Sequence, residues 1–277
     1  MQYYLLENIH SANLVKSISG KVPYIDIAPD ELQKIKVWRV TDQGTISLIT
    51  KNFNNSKIFI ADGHHRYEAG LRYISKINKY REIDDNESIN YRMIQLISMN
   101  EPGLVTRSYH RYIRFNENFS EYKEKIISDD FVQINQENFS YESIESLNAL
   151  YETLNDTQET KGVSFGIIIK QGNTAKSFIY KNQNSLKNND YSFLHEKYLK
   201  DKINEDLEDK ISFETDLNEI MKELSKNENL IVFIMRPIPM KDFIETVKSG
   251  EVLPPKVTNF LPKPPAGLVF QDLDGDL

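Results

Sequence analysis

The chain has 277 residues and a formal net charge of −7, with 39% hydrophobic and 27% charged residues. Its length and composition are typical of a globular protein with one large domain or two small ones. The net negative charge argues against a general nucleic-acid binder, which needs a basic face. The chain has no cysteine, which excludes disulfides, cysteine-based zinc sites and thiol catalysis.

No apolar run reaches the ~18 residues that a membrane helix requires. The N-terminal stretch also lacks the basic flank and long apolar core of a secretory signal. We therefore expect a cytoplasmic protein without nucleic-acid or membrane partners.

The first part of the chain, residues 1–115, is predicted to form one α/β unit. Short strands are expected on either side of the turn at Asp42-Gln43-Gly44. A buried strand, an amphipathic helix and a further apolar strand follow. The predicted strands cover residues 37–40, 45–49, 57–61 and 91–99, and the helix follows Asp62-Gly63 within the stretch of residues 57–77.

The remainder, residues 116–277, is predicted to form a second α+β unit with a proline-rich C-terminal segment. Two helices are expected within residues 119–160, capped by Ser120 and Ser140. A hairpin, a helix, a β-α-β segment and a last short helix follow. The hairpin strands cover residues 163–170 and 175–181, the helix 191–207, the β-α-β segment 211–235, and the last helix 241–248.

The most informative motif lies where the buried strand meets the amphipathic helix. Asp62-Gly63 ends the strand, and His64, His65 and Arg66 open the helix. The first backbone N–H groups of a helix and the positive end of its dipole form a site for an anion. Histidine and arginine donors suit phosphate, and arginine can bind it bidentately. We therefore predict a phosphate site at this turn.

Asp62 is the acid within this motif. It could cap the helix, hold a metal, or take a proton from an attacking hydroxyl, with His64 and His65 as further catalytic candidates. An Asp-Gly turn before a helix is also a common structural feature. The two adjacent histidines and the arginine favour the functional interpretation.

A basic cluster without acidic neighbours occupies residues 106–115. It could supply further phosphate ligands, with His110 and Arg111 as the best candidates. It could equally be a solvated edge strand with positive residues. In the proline-rich tail, Lys256 and Lys263 could close over a bound triphosphate.

The octad ADGHHRYE at residues 61–68 resembles the signature of the domain-of-unknown-function family 1015. Residues 37–40, 254–263 and 266–269 agree with the same family, and residues 106–111 and 191–195 match more loosely. The resemblance thus covers nearly the whole chain. Val257 and Asn259 stand where the family usually has serine and tyrosine. Family members usually carry a further N-terminal segment of roughly a hundred residues, so the chain is expected to be a shortened paralogue or a fragment.

That family is similar to the ParB/sulfiredoxin-like nucleotide-binding group, which includes a free-serine kinase. The resemblance implies a mixed α+β fold with a ParB/sulfiredoxin-like N-terminal unit packed with the second α+β unit. It also implies a nucleotide, ATP or ADP with Mg²⁺, as ligand. Two functions remain open: phosphoryl transfer from the nucleotide to a small hydroxyl compound, and a non-catalytic nucleotide-binding regulatory module. A structural domain that keeps the turn without a ligand is a third alternative.

Overall fold

The structure is a computed structural model and describes residues 2–6, 12–30, 33–54, 57–155, 162–185, 189–203, 209–251, 253–263 and 265–275. The chain divides into two compact units. One comprises Met1–Val105 together with Pro262–Leu277, and the other comprises Thr106–Leu261. Residues 106–115 thus belong to the second unit and residues 262–277 to the first, unlike the division predicted at residue 115. Residues 110–114 pair with strands at residues 212–214 and 230–233, and Gln271 and Gly275 form hydrogen bonds with residues 88–93. Local sequence patterns do not show such long-range contacts.

The first unit is built around a three-stranded sheet with the order β4-β1-β5. Strand β1 runs antiparallel to β4 and parallel to β5. A separate antiparallel ribbon joins β2 to β3. The elements in chain order are β1 (Gln2–Leu6), α1 (Ala12–Ser19), β2 (Ile25–Asp30), β3 (Gln33–Val37), α2 (Gln43–Asn54), β4 (Ile58–Asp62), α3 (His64–Ile77) and β5 (Ile94–Ser98).

Two predicted strands in the first unit are wrong. The strand expected at residues 37–40 lies earlier, since β3 ends at Val37. The strand expected at residues 45–49 is part of helix α2. Asp42 starts this helix, because its carboxylate accepts a hydrogen bond from the Thr45 backbone N–H at 2.7 Å. This capping bond outweighs the strand propensity of the isoleucines and threonines that follow.

The second unit contains a six-stranded sheet with the order β11-β7-β12-β9-β10-β8, and a two-stranded sheet of β6 and β13. The predicted hairpin is confirmed as β9 and β10. Strand β7 lies between β11 and β12 and is antiparallel to both. The strands are β6 (Val105–Arg107), β7 (His110–Arg114), β8 (Val132–Gln136), β9 (Val163–Gln171), β10 (Thr174–Asn182), β11 (Ser212–Glu214), β12 (Asn229–Ile234) and β13 (Asn259–Leu261). The helices are α4 (Phe119–Ile127), α5 (Ile144–Asn155), α6 (Asp190–Phe193), α7 (Leu199–Lys202), α8 (Leu217–Lys226) and α9 (Met240–Lys248), with a π-helical turn Leu194–Tyr198 joining α6 to α7.

Helices α5 and α8 cover one face of the six-stranded sheet. Their apolar side chains, including Leu147, Leu150 and Ile220, pack with Ile168 and Val232 of the central strands in one buried cluster. Alternation along a strand places every second residue on this face, and burying such a face is the main source of stability of a sheet domain. Neither predicted N-cap begins its helix. Ser120 lies inside α4, whose N-cap is Asn118, and α5 begins at Ile144, four residues after Ser140.

The fold class is therefore mixed α+β, as predicted. Across the described ranges, none of the helices combines the length and the apolarity needed to traverse a bilayer.

Candidate functional site

The predicted phosphate site lies at the turn between β4 and α3 in the first unit. Asp62 is the last residue of β4, and Gly63 is the N-cap of α3 with φ 93° in the left-handed region. Glycine adopts this conformation at little cost, whereas a side chain would be strained. A Cβ at Gly63 would also lie 3.0 Å from Nη2 of Arg66. Glycine therefore allows the Arg66 side chain to fold back over the turn.

Helix α3 begins without a side-chain cap. Gly63 has no side chain, and no hydrogen bond from a cap is present in the described part of the chain. The first helical hydrogen bond runs from the Tyr67 N–H to the Gly63 carbonyl at 2.9 Å. Asp62 thus does not cap the helix, and the N–H groups of His64, His65 and Arg66 precede the first intrahelical bond. These donors and the helix dipole can bind an anion.

Two cations converge on the Asp62 carboxylate. The Lys263 ammonium donates to Oδ2 at 2.6 Å, and Nη2 of Arg66 lies 3.5 Å from Oδ1. Partial burial raises the pKa of Asp62, but the hydrogen bond and charge of Lys263, the Gly63 N–H and the charge of Arg66 outweigh this effect. The pKa of Asp62 consequently lies below its ordinary value. The carboxylate is ionised at neutral pH, and two cations stand within reach of a phosphate at the turn.

His64 and His65 occupy the first turn of α3, and both side chains are exposed. Neither makes a side-chain hydrogen bond or ion pair with the residues that the structure describes. Their donors are therefore available to a ligand. No cluster of three or more histidine, aspartate or glutamate side chains that could hold a metal ion occurs in the described ranges. A metal at this turn would thus have Asp62 and the ligand's own oxygens as its ligands.

His110 and Arg111 lie on β7 in the second unit, and both are buried, with 2% and 0% exposure. Nε of Arg111 donates to Nε2 of His195 at 3.1 Å, and the guanidinium also donates to the carbonyls of Tyr109, Pro255 and Lys256. The guanidinium Cζ of Arg111 lies 4.5 Å from the centroid of the Tyr191 ring, a cation–π contact. Arg111 therefore anchors the segment around residue 255, and its donors would have to leave these carbonyls to bind phosphate.

Lys256, the other predicted ligand of the second unit, adopts a left-handed conformation with φ 57°. Its ammonium lies 5.5 Å from the centroid of the Tyr109 ring, and its carbonyl accepts the Arg111 hydrogen bond. The structure thus brings together Asp62, Gly63, His64, His65, Arg66 and Lys263 in the first unit. It places His110, Arg111 and Lys256 in the second unit, where their role as phosphate ligands stays a prediction.

The buried histidines make the stability of the second unit depend on pH. Burial, followed by the charge of Arg111, lowers the pKa of His110 to about 3 and that of His195 to about 4. In the unfolded chain a histidine titrates near pH ~6.5. The stability that the folded protein gains from two neutral, buried histidines is therefore complete above about pH 6.5. It is lost as the pH falls towards the pKa values of the folded state. When the pH falls from 7 to 5, we expect each buried histidine to lower the free energy of unfolding by on the order of 1–2 kcal/mol.

Urea unfolding followed by circular dichroism at several pH values measures this loss. In His110→Asn the amide oxygen can replace the imidazole Nδ1 that accepts from the Met235 N–H, so the protein should fold with a weaker pH dependence. The exposed His64→Asn is the matched control and should keep the full dependence. Equal pH profiles for the two variants would contradict the burial argument.

The fold and the site define a mixed α+β protein that carries an acid and two cations at a strand-to-helix turn. The family model described as "Protein of unknown function (DUF1015)" matches residues 4–208, and the chain belongs to this family. A search of curated proteins gave no match.

Solved structures of similar proteins include free serine kinase in complex with AMP, with 15% identity, a TM-score of 0.38 and coverage of 94% of this chain and 84% of the other. A conserved hypothetical protein from Pyrococcus furiosus shows 15% identity and a TM-score of 0.40, over 94% of this chain and 87% of that one. C-terminally truncated SbnI from Staphylococcus aureus shows 15% identity and a TM-score of 0.40, over 98% and 82%. Because these scores are low, we interpret function from the geometry of this chain.

Proposed function

We propose that the turn between β4 and α3 binds the phosphates of a nucleotide, ATP or ADP carried with Mg²⁺. We further propose that the protein transfers the terminal phosphoryl group to a small hydroxyl compound. The observation that carries the proposal is the convergence of Lys263 and Arg66 on Asp62 beside an uncapped helix start. The resemblance of the octad to the nucleotide-binding group supports the same ligand.

The electrostatics of the turn suit a polyphosphate. Arg66 and Lys263 supply two positive charges, and the first N–H groups of α3 supply hydrogen-bond donors. Both ion pairs to Asp62 are about half exposed, so each contributes little stability. The two cations can therefore exchange the carboxylate for phosphate oxygens at small cost. That exchange would free the Asp62 oxygens at the same moment.

Asp62 fits the role of a magnesium ligand. Mg²⁺ is usually held by one or two carboxylates together with phosphate oxygens and water, and an ionised aspartate beside a phosphate site meets that need. When bound, the ion would neutralise charge on the phosphate oxygens. Even at its ordinary pKa of about 3.9, an aspartate is a weak general base near neutral pH. The chemistry of the side chain therefore favours the metal-ligand role over the base role.

In the proposed reaction, the oxygen of the acceptor hydroxyl forms a bond to the terminal phosphorus. The bond from that phosphorus to the bridging oxygen breaks, and the shortened nucleotide leaves with the electron pair. The hydroxyl proton passes to water or to Asp62. Arg66, Lys263 and the N–H groups of His64 and His65 would stabilise charge on the transferred group, which is the main source of rate in phosphoryl transfer.

A non-catalytic nucleotide-binding module is the second candidate. It is favoured by the presence of one acid at the turn and by the absence of a multi-carboxylate cluster within the described ranges. Product formation separates the two functions. Isotope-labelled nucleotide incubated with serine, threonine and a panel of small alcohols yields a labelled phosphoester only if the protein is an enzyme. Tight binding without any labelled product would identify the module.

Nucleotide binding should stabilise the protein. A ligand at a hundredfold excess over its Kd adds about 2.7 kcal/mol to the free energy of unfolding, provided that it binds the native state alone. We expect thermal melts to shift upward with MgATP or MgADP. Arg66→Ala and Lys263→Ala should each weaken affinity about tenfold, since each removes a charge-assisted donor.

Arg72→Ala is the matched control, because Arg72 lies on the same helix but pairs with Glu68 at 3.2 Å. It should leave affinity unchanged. If no nucleotide raises the melting temperature, or if all three variants lose affinity equally, the assignment of the phosphate site to this turn is wrong.

A further inference from the structure

The second unit contains a groove on the face of the six-stranded sheet opposite α5 and α8. Ile169 and Phe178 of the hairpin and Ile134 of β8 form its floor, and α4 borders it through Ile127 and Lys123. Ile169 pairs with Lys176, and Phe178 pairs with Ile134 across the sheet. The side chains at alternate positions of the three strands therefore meet on one face.

This groove leaves apolar surface open to solvent. Ile134 is 58% exposed and Ile127 is 39% exposed, although Ile126 on the same helix is buried completely. The space enclosed is about 420 Å³. Pockets of roughly 300–1,000 Å³ with an apolar lining and a few polar groups are typical small-molecule sites. The size suits a compact organic ligand better than a protein surface.

The polar groups at the rim determine the charge of the ligand. Nζ of Lys123 donates to the Gln171 side-chain oxygen at 2.8 Å, and no carboxylate of the described residues lies within ion-pair distance of it. The neighbouring lysines are compensated, since Lys176 pairs with Glu137 at 2.5 Å and Lys125 with Glu121 at 2.7 Å. Lys123 thus offers the groove a positive charge without an anionic partner, and an anionic ligand complements it.

We propose that this groove binds a small amphipathic carboxylate. Its aliphatic part lies against Ile127, Ile134 and Phe178, and its carboxylate pairs with Lys123. Burying the aliphatic part supplies a stabilisation proportional to the apolar area removed from water. The ion pair at the rim selects an acid over an amine or an alcohol of the same length. This site is separate in the chain from the phosphate-binding turn and does not depend on the proposed nucleotide.

Calorimetric titration of the full chain with octanoate tests the proposal, with octylammonium as a probe of equal length and opposite charge. We expect saturable octanoate binding with one site per chain and at least tenfold weaker octylammonium binding, about the effect of one charge-assisted hydrogen bond. Lys123→Met should reduce octanoate affinity about tenfold or more. Ile134→Asp should abolish binding, because it places a negative charge on the floor of the groove.

Lys125→Met is the matched control, since it removes the same charge from the same helix outside the groove, and it should bind octanoate as the unmodified chain does. Circular dichroism verifies that each variant is folded. Equal affinities for the two probes, equal affinities of the two lysine variants, or non-saturable binding would overturn the proposal. So would self-association of the unmodified chain that Ile134→Asp abolishes, because a second copy would then occupy the groove.

Discussion

Asp62→Asn is expected to abolish phosphoryl transfer while leaving nucleotide binding largely intact. Asparagine keeps the shape of the side chain but loses the charge that would hold Mg²⁺ or accept a proton. Loss of such a group lowers turnover by about 100-fold or more. Affinity for the metal-free nucleotide should be preserved or rise slightly, because Lys263 and Arg66 lose the carboxylate that they contact at 2.6 Å and 3.5 Å. Initial rates and equilibrium binding with labelled nucleotide measure the two effects separately.

The control for this variant is Glu68→Gln, which neutralises an exposed carboxylate on α3 outside the turn. It should change neither rate nor affinity. Asp62→Asn should also keep its stability within about 1 kcal/mol, since surface ion pairs contribute little. Unfolding of the variant, or full phosphoryl transfer by it, would show that Asp62 has no catalytic role.

The largest loss of stability is expected for Arg236→Met in the second unit. Nε and Nη2 of Arg236 donate to both oxygens of Asp190 at 2.8 and 2.9 Å, and both side chains are about 9% exposed. Asp190 also accepts from the Ser164 N–H at 3.0 Å. Removing the arginine leaves a buried carboxylate without its cation, which costs about 3–5 kcal/mol. Urea unfolding followed by circular dichroism gives this difference directly.

Arg114→Met provides the comparison, because Arg114 pairs with Glu223 at 2.6 Å but is half exposed. Its loss should cost no more than about 1 kcal/mol. The double variant Asp190→Asn with Arg236→Met should recover part of the stability, since the uncompensated charge is then absent. If Arg236→Met and Arg114→Met are equally destabilising, the buried pair does not have the structural role assigned to it.

Strong local patterns predicted much of the fold. The strand-turn-helix motif at Asp62, the hairpin of β9 and β10, and the helix of the β-α-β segment all occur where the sequence indicates. Each depends on hydrophobic period, turn residues or caps within a few residues. Strand β8 was not predicted, because its segment lies within residues 119–160, which were assigned to two helices. It forms only through pairing with β10.

The site was predicted less completely, because its contacts are long-range. Lys263 was expected to bind phosphate, but its ion pair with Asp62 spans 201 residues of sequence and has no local signal. The basic cluster at residues 106–115 suggested a surface, since charged side chains are rarely buried. In the structure Arg111 is buried, with carbonyls and the neutral His195 as its partners. Acceptors of this kind are present in every sequence, so composition does not indicate them.

The proposed function depends most on the binding of nucleotide phosphates by the first turn of α3. Titration of isotope-labelled protein with MgADP, followed by NMR of the backbone amides, tests it directly. We expect saturable shifts of the Gly63, His64, His65 and Arg66 amides, with the same Kd as in calorimetry and a weaker response in Arg66→Ala. Saturable binding that leaves the resonances of these four amides unmoved, or no binding of any nucleotide, would contradict the proposed function.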